Sequence, residues 1–331
     1  MKKFFSSYEN FVLLAIIILA VVITAVNPNF LTLENILDLL KSYSFVGILS
    51  IGVLFVLISG GIDISFTATA TVAMYVMAVM LNKYGGNMVT AFLIAGVIGI
   101  SLGMINAIFI HYFKIHSIIT TIATLNIYYG LLTFFSNGKW IYSLPPWFRE
   151  FSQVRVLTLT NAAGREFGLS IITVIWLVLL ILAWVILRYT MIGRGIYALG
   201  GNPVSAERVG FNIPRLQIFV YSFMGLLAGI AGVVLTLLVQ SVAPNSIVGK
   251  ELDVLAAVIL GGASLLGGVG TLRGTVLGVI LIATMNNGMT LMRIPPYWYD
   301  VLIGMIIVIS VSASAYQHRQ KKYKTTVIEV Q

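Results

Sequence analysis

The residues of this sequence with the clearest potential for chemistry are polar groups embedded in long apolar runs. Asp63 lies in the segment GGIDIS, residues 60–65, and it is the only acid between Asp38 and Glu150. A carboxylate surrounded by apolar side chains costs free energy, so Asp63 is a functional candidate by default. The alternative is a structural role, in which Asp63 caps the helix that follows it.

Glycine pairs mark two points where the apolar runs break, Gly60 with Gly61 and Gly261 with Gly262. Because glycine reaches backbone conformations with positive φ, each pair allows a tight reversal, an unwound span or close approach between helices. The second pair does not indicate a phosphate cradle, since the sequence contains no GxxxxGK[ST] pattern. We interpret these four glycines and Asp63 as structural signatures.

The groups that enzymes and metal sites require are missing from the sequence. It has no cysteine and no HExxH pattern, and its histidines, His111, His116 and His318, have no ligand spacing. No set of nucleophile, base and orienting group is visible either. The sequence therefore predicts no catalytic residue, no metal and no cofactor, and the chain is not expected to be an enzyme.

Uncharged polar residues inside the apolar runs are the candidates for lining a solute path. Hydroxyl and amide groups can replace part of the hydration of a neutral polyol without placing charge in the membrane. Asn106, Asn126, Ser264 and Asn286 are the main candidates, and others of the same type are Thr120, Thr121, Thr124, Gln240 and Asn287. The alternative is that they join helices through hydrogen bonds.

Composition places these groups in a membrane. Of 331 residues, 59% are hydrophobic and 9% are charged, whereas a soluble domain has about 25% charged residues. The 31 glycines fit close helix packing in lipid. The sequence predicts one all-α integral membrane domain, residues 1–331, with about ten transmembrane helices, some of them broken or re-entrant. The apolar segments are 11–26, 44–59, 64–81, 88–110, 117–135, 169–187, 216–240, 252–266, 275–291 and 297–315.

The basic residues predict the orientation of the spans. With an uncleaved first span and the N-terminus inside, ten spans return the C-terminal tail, residues 316–331, to the inside. Twelve of the 20 Lys and Arg residues then lie inside, against 4 in the short external loops, because the long external loop 136–168 holds the other four. This asymmetry accounts for the net charge of +9 without nucleic acid as a partner. The inside residues are Lys2, Lys3, Lys114, Arg188, Arg194, Arg208, Arg215, Arg273, Arg319, Lys321, Lys322 and Lys324.

Two external segments are rich in aromatic residues and proline: WIYSLPPWF at 140–148 and IPPYWY at 294–299. Trp and Tyr at this density are typical of an interfacial belt at the membrane surface. The alternative is an outer mouth on which a substrate-binding protein sits, and the two interpretations are compatible.

The long polar segment 188–217 is predicted to be a cytoplasmic loop carrying one short helix. Asn202 is a suitable N-cap, Pro203 suits the first helical position, and Gly210 can close the last turn, so residues 202–210 are expected to form two helical turns. An isolated helix of this length is marginal in water, and we expect it to be held by packing. The alternative is an ordinary turn between spans.

The motifs GRGIYALGGNPVSAERVGFNIPRLQ and ELDVLAAVILGGASLLGGVGTLRGT, together with GGIDIS, resemble the permease subunits of ribose-type ABC importers of simple sugars. The similarity runs along nearly the whole chain, and the GKW and RIPxxW patterns are most similar to the autoinducer-2 and rhamnose branch. The chain departs from the family pattern at Phe66, Thr67 and Ala68, where a small residue and a glycine are usual. This departure puts close packing at that turn in doubt.

The resemblance implies a multi-pass subunit of the bacterial inner membrane, energised by a separate ABC ATPase that docks on the short cytoplasmic helix. It also implies an extracytoplasmic substrate-binding protein and a second permease copy or paralogue, all within membrane lipid. The alternative function is an ion-coupled secondary transporter of a small polar solute, for which Asp63 is the one buried charge that the sequence offers. The ATPase-coupling residues implied are Arg194, Gly201, Asn202, Pro203, Ala206, Glu207, Arg208, Val209 and Gly210.

Overall fold

The computed structural model describes residues 8–161, 164–308 and 312. Every predicted apolar segment contains a helix, although the last segment is described only at residues 297–308 and 312. In chain order the helices are α1 (Tyr8–Val26), α2 (Leu33–Ile58), α3 (Phe66–Tyr84), α4 (Met88–Tyr112), α5 (Ser117–Ser136), α6 (Pro146–Gln153), α7 (Ile171–Tyr189), α8 (Met191–Gly201), α9 (Pro203–Arg208), α10 (Ile213–Val239), α11 (Glu251–Leu260), α12 (Leu272–Leu291) and α13 (Tyr297–Val308).

Among the described residues, seven helices are long and apolar enough to cross a membrane: α1, α2, α4, α5, α7, α10 and α12. The apolar helices α3, α11 and α13 accompany them, and α11 has only 10 residues. A straight span needs about 20 residues, so α11 is too short to cross a membrane by itself. The prediction of an all-α integral membrane protein with some broken helices is confirmed.

Burial separates the core helices from the peripheral ones. The most apolar window of α2 is 78% buried and that of α10 is 67% buried, whereas the windows of α1 and α7 are only 11% and 22% buried. Exposed apolar residues such as Ile18 and Val21 on α1 have no aqueous role and suit contact with lipid. The core of the molecule is therefore the bundle around α2 and α10.

Glycines bring α4 and α10 into backbone contact. A side chain at Gly99 would lie 2.8 Å from the carbonyl carbon of Gly225, and one at Gly103 would lie 3.2 Å from the Gly225 Cα. Gly229 likewise faces the backbone of α4. Paired small residues one turn apart are the usual means by which membrane helices approach closely. These positions explain part of the high glycine content.

The loop 136–168, which is predicted to be external, is more ordered than the sequence suggested. Within the described part of the chain, β1 (Arg155–Thr160) and β2 (Glu166–Ser170) form an antiparallel hairpin, with Thr158 opposite Gly168. An isolated antiparallel bridge between Ile141 and Val242 ties the start of this loop to the segment after α10. The hairpin was not predicted.

The segment 188–217 requires a correction. We expected a loop with one short helix, but helix α7 extends to Tyr189, α8 occupies Met191–Gly201 and α10 begins at Ile213. Gly193, Gly195, Ile196 and Leu199 of α8 are buried, so this helix packs against the bundle along one face. The C-terminal tail 316–331, His318, Lys2, Lys3, Arg319, Lys321, Lys322 and Lys324 lie outside the described residues.

Candidate functional site

The short helix α9 is capped at both ends as its sequence predicts. The Asn202 side chain accepts a hydrogen bond from the Ser205 N–H at 3.0 Å, and Pro203 takes the first helical position. Gly210 has φ of +93°, and the N–H of Phe211 donates to the carbonyl of Ala206 at 3.1 Å. Together with the 2.9 Å bond from the Gly210 N–H to the Glu207 carbonyl, these contacts form a Schellman motif. The predicted two-turn helix is confirmed.

Helix α9 presents an exposed surface with only one residue packed into the chain. Ala206 is 2% exposed, whereas Val204 and Val209 are 59% and 73% exposed. Glu207 and Arg208 are exposed between these two valines, and Arg194 of α8 is exposed nearby in sequence. Two exposed apolar side chains with charges between them, on a short helix with one packed residue, have the composition of a protein-binding surface. We call residues 202–210 the docking helix surface.

Glycines from three separate segments meet near the end of α8, just before this surface in the chain. Gly60 follows α2, Gly200 lies at the end of α8, and Gly267 lies between α11 and α12. A side chain at Gly267 would lie 2.7 Å from both the Gly60 Cα and the Gly200 carbonyl oxygen, and Gly60 and Gly267 have φ of +83° and +88°. The Gly268 N–H donates to the Ile58 carbonyl at 2.8 Å. We call this contact the glycine junction.

The signature glycines occupy the two breaks that meet at or near this junction. A side chain at Gly61 would collide with the Tyr221 hydroxyl unless that tyrosine moved, and Gly262 has φ of +90°. A side chain at Gly261 would lie 2.7 Å from the Thr275 N–H of α12. Each pair therefore combines a turn with close backbone approach, as glycine allows. Gly200 and Gly267 belong to the same junction and were not recognised as partners, because no local pattern connects them.

Asp63 lies in a buried hydrogen-bonded cluster between α2 and α3. Its Oδ1 accepts from both the N–H and the hydroxyl of Ser65, at 2.8 and 2.7 Å, and the side chain is 3% exposed. The Asn106 amide donates to the same Ser65 hydroxyl at 2.7 Å. The expectation that Asp63 caps the following helix is corrected, since Ser65 is the N-cap residue of α3 and Asp63 instead fixes the turn before it.

The remaining path candidates are scattered rather than brought together. Asn106 is fully buried in the cluster just described, and Ser264 accepts from the Leu266 N–H at 3.1 Å in the turn after α11. Asn126 is exposed and donates to the Ile122 carbonyl of its own helix at 2.8 Å. Of the others, Thr121 and Thr124 are buried on α5, Gln240 ends α10, Asn286 lies beside Tyr299, and Asn287 pairs with Asn35.

Asp63 is not the only buried charged residue, contrary to the sequence-based expectation. Asp253 of α11 is 7% exposed and pairs with Lys250 at 3.0 Å. Tyr299 lies beside both residues, with the Lys250 Nζ 6.0 Å from its ring centroid. A second acid, Glu251, accepts a hydrogen bond from the Thr67 hydroxyl of α3. These acids lie at the start of an apolar segment, so the sequence alone predicts that they belong to a loop.

Close packing at the α3 start is preserved despite the departure from the family pattern. Phe66, Thr67 and Ala68 are each at most 1% exposed. The larger residues are thus accommodated inside the bundle, and Thr67 adds a hydrogen bond to α11.

No group of three or more His, Cys, Asp or Glu residues that could hold a metal ion occurs in residues 8–161 and 164–308. His111 contacts the Gln217 side chain at 2.7 Å, which joins α4 to α10. The absence of a cofactor stays a prediction.

The fold defines a class: a multi-pass α-helical membrane protein in which broken helices meet behind a short exposed helix, as in transport permeases. The chain belongs to the family described as branched-chain amino acid transport system / permease component, which matches residues 35–311.

Several curated relatives match almost the whole chain. It is 31% identical to a ribose import permease protein of Haemophilus influenzae over 96% of both chains, and 34% identical to that of Bacillus subtilis over 90% of both. It is 32% identical to an autoinducer 2 import system permease protein of Salmonella choleraesuis, over 93% of this chain and 86% of that one. No solved structure matches the chain. The resemblance to ribose-type permeases and the assignment as a transport subunit rather than an enzyme are confirmed.

Proposed function

We propose that this chain is the permease subunit of an ABC importer that conducts a simple sugar or related small polyol across the bacterial inner membrane. The observation that carries the proposal is the docking helix surface, a capped helix outside the spans whose valines are exposed. The relatives named for ribose import and for autoinducer 2 import support a small polar cargo. Energy then comes from ATP hydrolysis by a separate chain.

The ATPase docks on the docking helix surface and on Arg194 of α8. Val204 and Val209 would be buried in the interface, and Glu207 and Arg208 would set its register. Because α8 leads from the glycine junction directly into α9, movement of the ATPase would reach both broken helices through backbone contacts. Helix α8 is a continuous element with the ATPase contact after one end and the packed glycine junction near it. Such an element can transmit a change between two conformations of the complex.

A substrate-binding protein docks on the two external aromatic segments. Trp140 and Tyr142 are 51% and 70% exposed, and Tyr297 and Trp298 are 67% and 52% exposed. Exposed aromatic residues are enriched in protein interfaces as well as at the membrane surface. We also propose a second permease copy or paralogue, with lipid around α1 and α7.

The proposed orientation places both termini and α9 in the cytoplasm and the hairpin outside. Ser143 and Val204 are exposed and lie on opposite sides in this topology, and the chain has no native cysteine. In intact cells, Ser143→Cys should react with a membrane-impermeant thiol reagent, whereas Val204→Cys should react only after permeabilisation. Reaction of Val204→Cys in intact cells would show that the proposed orientation is wrong.

Uptake is expected to depend on ATP and not on an ion gradient. In vesicles with the ATPase and the binding protein, uptake should persist after proton and sodium gradients collapse. Asp63→Asn should retain most uptake, because an asparagine oxygen can still accept both hydrogen bonds from Ser65. An ion-coupled transporter would instead need the carboxylate to distinguish its two states. Gradient-driven uptake by this chain without any ATPase would refute the importer assignment.

A further inference from the structure

A polar cluster surrounds the first residue of α11, on the side that faces α3 and α5. Glu251 Oε1 accepts a hydrogen bond from the Thr67 hydroxyl, and Thr71 donates to the Thr67 carbonyl at 2.7 Å. The Tyr129 hydroxyl of α5 lies beside the Thr67 and Thr71 hydroxyls and is shielded from solvent, but it forms no well-aligned hydrogen bond with them. An enclosed hydroxyl without a well-aligned partner costs about 1–3 kcal/mol, so this group is poised to bond to something that enters.

The cluster lies level with the interior of α12 rather than with its end. Gly261 faces Gly274 and Gly278 faces Ala257 across the antiparallel helices α11 and α12. The same register places Glu251 level with Thr284, about 10 Å from the outer end of α12 at 1.5 Å per residue. Helix α12 is one of the candidate spans. A carboxylate at this depth in a span is stable only if it faces water, a bound solute or a partner group.

The exposed surface on either side of Glu251 is mixed, with the apolar Val248 and Leu252 beside Lys250. Glu251 itself is partly exposed, and Asn126 and Thr133 are exposed along one side of α5. Gly130 between them and Gly249 before α11 have open space where a side chain would be. Ile18 and Val21 of α1 show the contrasting apolar surface. One side of α5 therefore carries amide and hydroxyl groups that a hydrated solute can contact.

We propose that Glu251, Tyr129 and Asn126 form a subsite for a neutral polyhydroxylated solute on the transport path. This inference rests on the proposed import function. Glu251 Oε1 is bonded to Thr67, which leaves Oε2 to accept a solute hydroxyl in a charge-assisted hydrogen bond. The Tyr129 hydroxyl and the Asn126 amide can each donate and accept, so the three groups complement adjacent hydroxyls.

The geometry favours a neutral solute over a cation. Asp253 is two residues from Glu251, which turns it about 200° around the helix. There it pairs with Lys250 at 3.0 Å and lies beside Tyr43 and Tyr299. On the described α3 and α5 sides of the cluster, no second carboxylate accompanies Glu251. Cation sites usually combine several oxygen ligands, carboxylates among them.

The test uses proteoliposomes with the complete importer and three labelled sugars, D-ribose, D-xylose and L-rhamnose. For the sugar that the parent complex takes up with ATP, Glu251→Gln should lower the initial rate about tenfold, because a charge-assisted hydrogen bond becomes a neutral one. Glu166→Gln, at an exposed residue of β2, is the matched control and should transport at the parent rate.

Cysteine labelling provides a readout that a purely structural role would not change. Glu251→Cys should react with a charged thiol reagent in resting, ATP-cycling or vanadate-trapped complexes, and the transported sugar should slow this reaction several-fold. Val254→Cys, at a position with 0% exposure, should stay unreactive. Parent-rate uptake by Glu251→Gln, or a Glu251→Cys variant that is unreactive in all three states, would overturn the subsite. Failure of the parent complex to take up any of the sugars with ATP would overturn the import function itself.

Discussion

In a pull-down from solubilised membranes, the Val209→Asp permease should bind at least about tenfold less ATPase than the parent chain. The reason is that the substitution would bury a carboxylate in an apolar contact. Val209 is 73% exposed in the chain alone and lies at the end of α9. Glu207→Lys should also weaken recovery, since it reverses the charge next to that contact. Both variants keep the Asn202 cap and the left-handed Gly210, so α9 itself should form. Pull-down of the tagged ATPase is the measurement.

Val156→Asp makes the same change on the external hairpin and serves as the control. Val156 is 58% exposed on β1, on the side opposite α9 in the proposed topology. It should leave ATPase recovery at the parent value, and all three variants should reach the membrane in equal amounts. Normal recovery with both α9 variants would rule out the docking helix surface as the ATPase contact.

Features encoded within a few residues were predicted correctly from the sequence. The α9 caps depend only on Asn202, Pro203 and Gly210, which act through bonds to neighbouring residues. The apolar segments likewise follow from local composition, because a span must satisfy its own backbone hydrogen bonds. Helix α8 was missed because four of its eleven residues are glycine, which weakens intrinsic helix preference, and tertiary packing on Ile196 and Leu199 compensates.

Features that join distant residues were not predictable from one sequence. Thr67 and Glu251 are 184 positions apart, and neither has a local pattern that indicates the other. Asp253 lies in a segment with the composition of a loop, yet the short α11 brings its side chain inside the bundle, where it pairs with the exposed Lys250. The pairs Gly60-Gly61 and Gly261-Gly262 resemble each other only weakly, and this resemblance does not indicate which residues they contact. Only the fold shows that both breaks reach α8, through Gly200.

The glycine junction is the feature whose disruption should have the second large effect. A methyl group at Gly200 would lie 2.6 Å from the Gly268 nitrogen and 2.9 Å from the Ile58 carbonyl carbon. These two groups share the 2.8 Å hydrogen bond that joins the α11–α12 turn to the end of α2. Backbone cannot move aside as a flexible side chain can, so Gly200→Ala should force the three segments apart.

Gly201→Ala is the matched comparison, because the space around its added methyl is open and both glycines are helical positions of α8. We expect Gly200→Ala to cost about 1–3 kcal/mol of stability through overpacking, and Gly201→Ala to unfold at the parent temperature. ATP-driven uptake should fall more than about tenfold in Gly200→Ala, because displacing α8 misplaces the helix that carries α9 relative to both breaks. The measurements are thermal unfolding in detergent and uptake in proteoliposomes. If Gly200→Ala matched Gly201→Ala in both, the junction would be a passive contact, and coupling would have to reach the spans by another route.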